Sequence, residues 1–162
     1  GLVNIAKETA NGAEREQGLR DYLSGVPNAT IVAVEHAENT LADATAAAAR
    51  LLREHPQINV LIGFNEWMTL GVGAAIRDAD AAARVRAVGF DANVVSVAML
   101  ETGEMDALIV QDPYAIGYLG VRYAVALAGG EQAPAQPVHT TVATADRTNM
   151  FDKDMQKLLF RF

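Results

Sequence analysis

Two kinds of block alternate along this chain. Short apolar runs, rich in β-branched residues and Leu, cover Leu2 to Ala6, Thr30 to Val34, Ile58 to Phe64, Arg86 to Phe90 and Ala107 to Gln111, and each reads as a strand. Longer stretches lie between them: Asn11 to Leu23, Thr40 to Glu54, Glu66 to Ala79, Val94 to Thr102 and Pro113 to Ala128. These read as helices. In the second, Leu41, Ala44, Ala48, Leu51 and Leu52 recur at helical spacing, and its alanines raise helix propensity. The expected stops fall at Ser24-Gly25-Val26-Pro27, Gly103 and Gly129-Gly130, and Pro113 sits where a first helical turn tolerates proline. A linker, Glu131 to Pro137, leads to a β-like segment, Val138 to Thr144, and an amphipathic stretch, Asp152 to Phe160, closes the chain. Strands alternating with helices of this length predict an α/β fold: a doubly wound parallel sheet in a three-layer α/β/α sandwich, one lobe spanning residues 1–162.

Three of the predicted strands end at a side chain able to hydrogen-bond: Asn65, Asp91 and Gln111. Open α/β sheets bind ligands at the carboxyl ends of their strands. Each residue also has a plain structural explanation. Asn65 and Asp91 suit a helix cap or turn, Gln111 a turn before Asp112-Pro113, Phe90 the core, Arg15 a solvated helix face, and Trp67 partly buried packing. Taken together, two amides, a carboxylate, a guanidinium and an aromatic face suit a sugar. Hydroxyls need paired donors and acceptors, and the apolar face of the ring needs an apolar surface.

Bulk properties narrow the classes. At 162 residues the chain can bury a single core, and 51% hydrophobic against 20% charged residues fits a globular protein rather than a disordered one. A formal charge of -7 disfavours nucleic acid, whose phosphates it would repel. With no cysteine there is no disulfide, thiolate metal site or thiol nucleophile. No apolar run approaches a membrane span. The chain opens directly on a strand without a leader pattern, which is compatible with an internal piece of a longer protein and with a half-length one.

Enzyme templates do not fit. There is no nucleophile elbow, zinc-protease helix or phosphate loop, and Gly71-Val72-Gly73 lies inside a predicted helix rather than after a strand. His36, His55 and His139 are scattered; His36 lies just past the second predicted strand, at the mouth, and His55 ends a helix. The sequence therefore predicts a binding protein, without cofactor or metal.

At these same residues the chain resembles the C-terminal lobe of type I periplasmic binding proteins, the sugar-binding group that includes the ribose-binding proteins. Gly12 to Leu19 is similar to the family's Arg-x-x-Gly-Phe helix start, with Leu19 for Phe. Phe64-Asn65-Glu66-Trp67-Met68-Thr69-Leu70-Gly71 resembles Asn-Asp-x-Met-Ala-Leu-Gly, and Val88-Gly89-Phe90-Asp91 matches Val-Gly-Phe-Asp. Gly103 to Ala107 followed by Gln111 to Gly117 matches Gly-x-x-x-Ala then Gln-x-Pro-x-x-x-Gly, and Asn149 to Leu159 is similar to the family's tail. The related repressor group usually carries Leu-Thr-Thr where this chain has Asp106 to Gln111, which favours the transport group. A phospho-receiver domain would need an acidic pair that Ala6-Lys7-Glu8 does not supply.

The resemblance implies that Arg15 and Asp91 bind ring hydroxyls, Asn65 and Gln111 fix orientation, and Phe90 lines the pocket. Asn39, where the family often has an aromatic residue, and Trp67 complete the expected site. It further implies a small polar solute, a monosaccharide, delivered to an ABC permease from a periplasmic or other extracytoplasmic location. The expected alternative is a stand-alone half-receptor, a dimeric sensor or assembly module without transport. In the family two lobes close on the ligand, and residues 113–162 contain the segments that would cross to the other lobe. The Pro113 to Ala128 helix carries an apolar row, Ile116, Leu119, Val121, Ala124 and Leu127, expected to pack on this sheet or to form a homodimer.

Overall fold

The computed structural model describes residues 1–5 and 9–160; Ala6, placed above at the end of the first strand, and Lys7 and Glu8 lie outside the described residues. In chain order the elements are β1 (Leu2–Ile5), α1 (Ala10–Leu23), β2 (Val34–Ala37), α2 (Leu41–Glu54), β3 (Val60–Gly63), α3 (Glu66–Asp78), β4 (Arg86–Phe90), α4 (Val94–Thr102), β5 (Ala107–Gln111), α5 (Pro113–Ala128), β6 (Val142–Asp146) and α6 (Lys153–Leu159). They form one sheet in the order β2-β1-β3-β4-β5-β6. The first five strands are parallel, and β6 runs antiparallel to β5.

The core lies where apolar helix stripes meet the sheet. On α2, Ala44, Ala47, Ala48, Leu51 and Leu52 are buried, whereas Leu41, counted in the stripe above, opens the helix and is 44% exposed. Helix α3 is packed between α2 and α4, and Met68 to Ile76 form an unbroken buried run. Two glycines permit this. A Cβ on Gly71 would lie 2.5 Å from the Ala44 Cβ, and one on Gly73 would lie 2.4 Å from the Met99 sulfur. The Gly71-Val72-Gly73 run thus serves helix packing. Thr40, Asn93 and Asp112 cap α2, α4 and α5 with their side chains, and Gly103 ends α4 in the left-handed region at φ 96°.

Helix α1 is held differently. Only Gly12 is buried, and polar contacts tie the helix to the sheet. Asn4 on β1, 2% exposed, donates from Nδ2 to the Gly12 carbonyl (3.1 Å) and to Glu16 Oε2 (2.9 Å). Glu16 also accepts from Arg20 and faces His36 Nε2 at 3.9 Å. Burial raises the Glu16 carboxyl, but the hydrogen bonds from Asn4 and Arg20 and the charges of Arg20 and His36 outweigh it and hold the pKa below 4.5. His36, expected just past the second strand, lies within β2 (Val34–Ala37).

Strand β3 forms at Val60–Gly63, inside the expected Ile58 to Phe64, and two strands are shifted from the sequence reading. The second forms at Val34–Ala37, not Thr30 to Val34, because β1 begins its parallel register with Leu2 opposite Val34, and residues 30–33 run ahead of that register. The last forms at Val142–Asp146, with Val142 opposite Gln111. The chain thus leaves the sheet after Gln111 and returns beside it at the same edge, which forces β6 to run backwards. No residue of the intervening α5 is buried, so the expectation that its apolar row packs on this sheet fails. Its half-buried positions, Ala115, Leu119, Tyr123 and Ala126, follow one stripe, and Leu119 and Tyr123 line a groove with Val138, Thr140 and Val142.

Candidate functional site

The carboxyl ends of β3, β4 and β5 meet the first turns of α3, α4 and α5, so orphan backbone N–H groups and positive helix ends face one edge of the sheet. Asn65 follows β3 and caps α3: its Oδ1 accepts from Met68 N–H at 2.9 Å. Its Nδ2 donates to Asn39 Oδ1 at 2.7 Å, which joins the end of β2 to the end of β3. The capping explanation for Asn65 is correct, and the cap occupies only its amide oxygen, so the nitrogen is left to make the bond to Asn39.

Asp91 is not a cap. Asn93 caps α4 in a reciprocal box with Ser96. Asp91 instead sits two residues earlier in the left-handed region, φ 65°, a conformation uncommon for a residue with a side chain. Its N–H donates to Ile109 O at 2.9 Å, and its Oδ1 accepts from Gln111 Nε2 at 2.7 Å. Gln111 ends β5, so the amide–carboxylate pair bridges adjacent strand ends.

Arg15 reaches this edge from α1. Its Nη1 donates to Phe64 O at 2.5 Å, its Nη2 lies 3.9 Å from Asp91 Oδ1, and its Cζ stands 4.9 Å over the centre of the Phe90 ring. Phe90 in turn packs against the buried Phe64, with centroids 5.6 Å apart. The Arg15 side chain is only 17% exposed, so a solvated helix face does not describe it. The guanidinium spans β3 and β4, with spare donors beside a carboxylate and a ring beneath it.

The structure thus brings Arg15, Phe90, Asp91 and Gln111 into one contact network, with the Asn39–Asn65 pair on the neighbouring strand ends. Trp67 does not join them: it is 39% exposed in the first turn of α3, and among the described residues no hydrogen bond or ring contact links it to the others. Two supporting residues escaped the sequence reading. Glu66 Oε1 accepts from Asn93 Nδ2 at 2.6 Å, bracing α3 against α4 at the rim. Thr69, fully buried, holds the backbone of Phe90 through its hydroxyl. A hydroxyl flanked by Met68 and Leu70 in a buried helix needs a partner, and that was the available signal.

The opposite charges of Arg15 and Asp91 lie 3.9 Å apart and offset one another, so this part of the edge presents donors and acceptors side by side. Such a surface suits a neutral polyhydroxyl molecule better than an anion, which would need an unopposed cation. Among the described residues no three His, Asp or Glu side chains gather into a metal cluster.

Known proteins share this architecture. Residues 2–132 match the family described as periplasmic binding protein domain. The D-ribose/D-allose-binding protein of Pseudomonas aeruginosa is 28% identical over 131 residues, 81% of this chain and 41% of that protein. The D-allose-binding periplasmic protein of Escherichia coli is 28% identical over 116 residues, 72% of this chain and 37% of that protein. A carbohydrate transporter solute binding protein from Agrobacterium radiobacter, solved in complex with D-arabinose, superposes with a TM-score of 0.92 at 27% identity, covering 98% of this chain and 54% of the other. This chain therefore spans about half the length of these relatives, which are binding proteins of sugar transport and not enzymes. With the matched region running through every element from β1 to α5, the chain belongs to the periplasmic binding protein domain family.

Proposed function

We propose that this chain forms one wall of a monosaccharide site in the solute-binding component of an ABC importer. In this reading Arg15, Asp91, Gln111, Asn65 and Asn39 bind hydroxyls and Phe90 lines the floor. A permease in the membrane takes over the sugar on the extracytoplasmic side. The observation that supports it most is the Arg15–Asp91–Gln111 network over Phe90, assembled from a helix and two strand ends far apart in sequence. Similarity to relatives named for D-ribose and D-allose supports the ligand class. In the longer relatives' family a second lobe closes over such a wall, and α5 with its exposed Tyr114, Ile116, Tyr118, Val121 and Val125 would belong to that contact.

The test is a thermal-shift series of this chain with D-ribose, D-allose and D-arabinose. A ligand at one hundred times its Kd stabilises by about 2.7 kcal/mol, a shift easily resolved. A rise in Tm that Asp91→Ala abolishes supports the reading; no rise with any of the three counts against it. The same exposed row on α5 also favours a second reading, a dimeric half-receptor acting as sensor or assembly module. Light scattering after size exclusion decides between them: a monomer at high concentration removes the dimer.

A further inference from the structure

We propose that Thr69 is a positioning residue for the binding wall, setting Asp91 and Phe90 through the backbone of β4. The inference rests on the assignment of Asp91 to that wall. Strands β3 and β4 are in register from Val60–Arg86 to Ile62–Val88, and β3 ends at Gly63. On its other side β4 stays paired with β5 through Phe90–Ile109. Successive residues of a strand point their backbone groups to alternate sides. Asp91 N–H goes to β5, so the N–H and carbonyl of Phe90 face the side on which β3 has already departed.

Thr69 closes that gap from α3. Its Oγ1 accepts from Phe90 N–H at 2.8 Å and donates to Phe90 O at 2.9 Å, so one hydroxyl replaces a missing strand neighbour. The fit is steric as well. A Cβ on Gly89 would lie 2.3 Å from Thr69 Cγ2 and 2.7 Å from its Oγ1, so the glycine makes room for this side chain. The residue after Phe90 is Asp91, in its left-handed conformation. A non-glycine residue keeps that conformation only where its surroundings over-determine it. Here the supports are the Thr69 clamp just before it, the Ile109 bond on its own N–H, and the Gln111 and Arg15 contacts on its carboxylate.

Removing the hydroxyl while keeping the shape, as in Thr69→Val, takes the threonine partner from the partly buried N–H and carbonyl of Phe90 and frees Phe90 and Asp91 to rotate. Thr69→Ser keeps both bonds and loses only the methyl against Gly89. Two measurements separate positioning from mere stability. The first needs no ligand: the side-chain amide resonances of Gln111, whose Nε2 is bonded to Asp91, are followed by NMR far below each variant's Tm. Thr69→Val is expected to move them toward the values of a free amide and Thr69→Ser to hold them at wild-type values. The second is calorimetry with D-ribose, in which Thr69→Val weakens binding on the order of ten-fold or more, about 1.4 kcal/mol per ten-fold, and Thr69→Ser restores it.

Unchanged Gln111 resonances in folded Thr69→Val overturn the proposal, as does an equal loss in Thr69→Ser. A wild-type chain that takes up no D-ribose counts against the sugar reading alone, because the Gln111 resonances still decide the role of Thr69.

Discussion

Asn65 does two jobs with one amide, and substitution can divide them. Its oxygen caps α3 at 2.9 Å from Met68 N–H, and its nitrogen reaches Asn39 at 2.7 Å. Asn65→Ala removes both. Loss of an N-cap of this kind costs about 1 kcal/mol, within a range of roughly 0.5–2. The Asn39 contact is exposed and adds at most a few tenths, well below the roughly 1 kcal/mol of a typical hydrogen bond. For a chain of 162 residues, each kcal/mol shifts Tm by about 2–4 °C, so the alanine variant should melt a few degrees early. Asn65→Ser restores an oxygen that can accept from Met68 N–H, and serine ranks with asparagine as a cap, so its Tm should return to within about 1 °C of wild type. Serine is too short to reach Asn39 or a solute, so binding of D-ribose should stay weak in both variants. Differential scanning calorimetry and titration calorimetry on the two proteins suffice. If Asn65→Ala melts with wild type, the cap carries no stability. Should Asn65→Ser bind D-ribose as tightly as wild type, Asn65 belongs to the fold and not to the site.

Three further outcomes follow from the same geometry. Arg15→Met should lower stability by about 1–2 kcal/mol in urea unfolding, because Phe64 O loses its donor and Asp91 its counter-charge in a partly buried setting, and Arg15→Lys should recover only part of it, since a point charge cannot span the carbonyl, the carboxylate and the ring together. Gly71→Ala drives a Cβ to 2.5 Å from Ala44 on α2, and overpacking of this kind costs about 1–3 kcal/mol; a Tm equal to wild type would mean that α2 yields freely. The pKa of Glu16 is depressed in the fold, so its contribution is present above the ordinary value of 4.5 and is lost as pH falls through the lower folded value; Tm should drop more steeply below pH 4.5 in wild type than in Glu16→Gln.

The particular residues explain which parts of the fold could be read early. The boundaries of β4, α4, β5 and α5 agree with the pattern residue for residue, since each is bracketed by a local stop: Asp91, Gly103, Gln111 followed by Pro113, and Gly129. Strand β2 starts four positions later than its composition suggests: Thr30 to Val34 has the better β-branched composition, yet pairing with Leu2 decides which residues join the ladder. Composition measures suitability for a strand, and register measures which neighbour is within reach. The same difference separates Asn65, whose role as a cap is local, from Arg15. A helical arginine reads as solvated until β3 and β4 bring a carbonyl and a carboxylate beneath it. Thr69 was passed over for the same reason: its partner, Phe90, is 21 residues away.

The sequence by itself determined the alternation of strands and helices, the caps and stops, and the polar side chains placed at three strand ends. Those are signals of short range, set by side-chain periodicity and by hydrogen bonds within a turn. The tertiary structure alone decided that β6 runs backwards, that α5 stands off the sheet, and that Arg15, Phe90, Asp91 and Gln111 share one network. Each of those depends on which distant segments pack together. That choice is made by the burial of whole helix faces and by strand register, whose free energies sum over many residues and leave no mark on any single one.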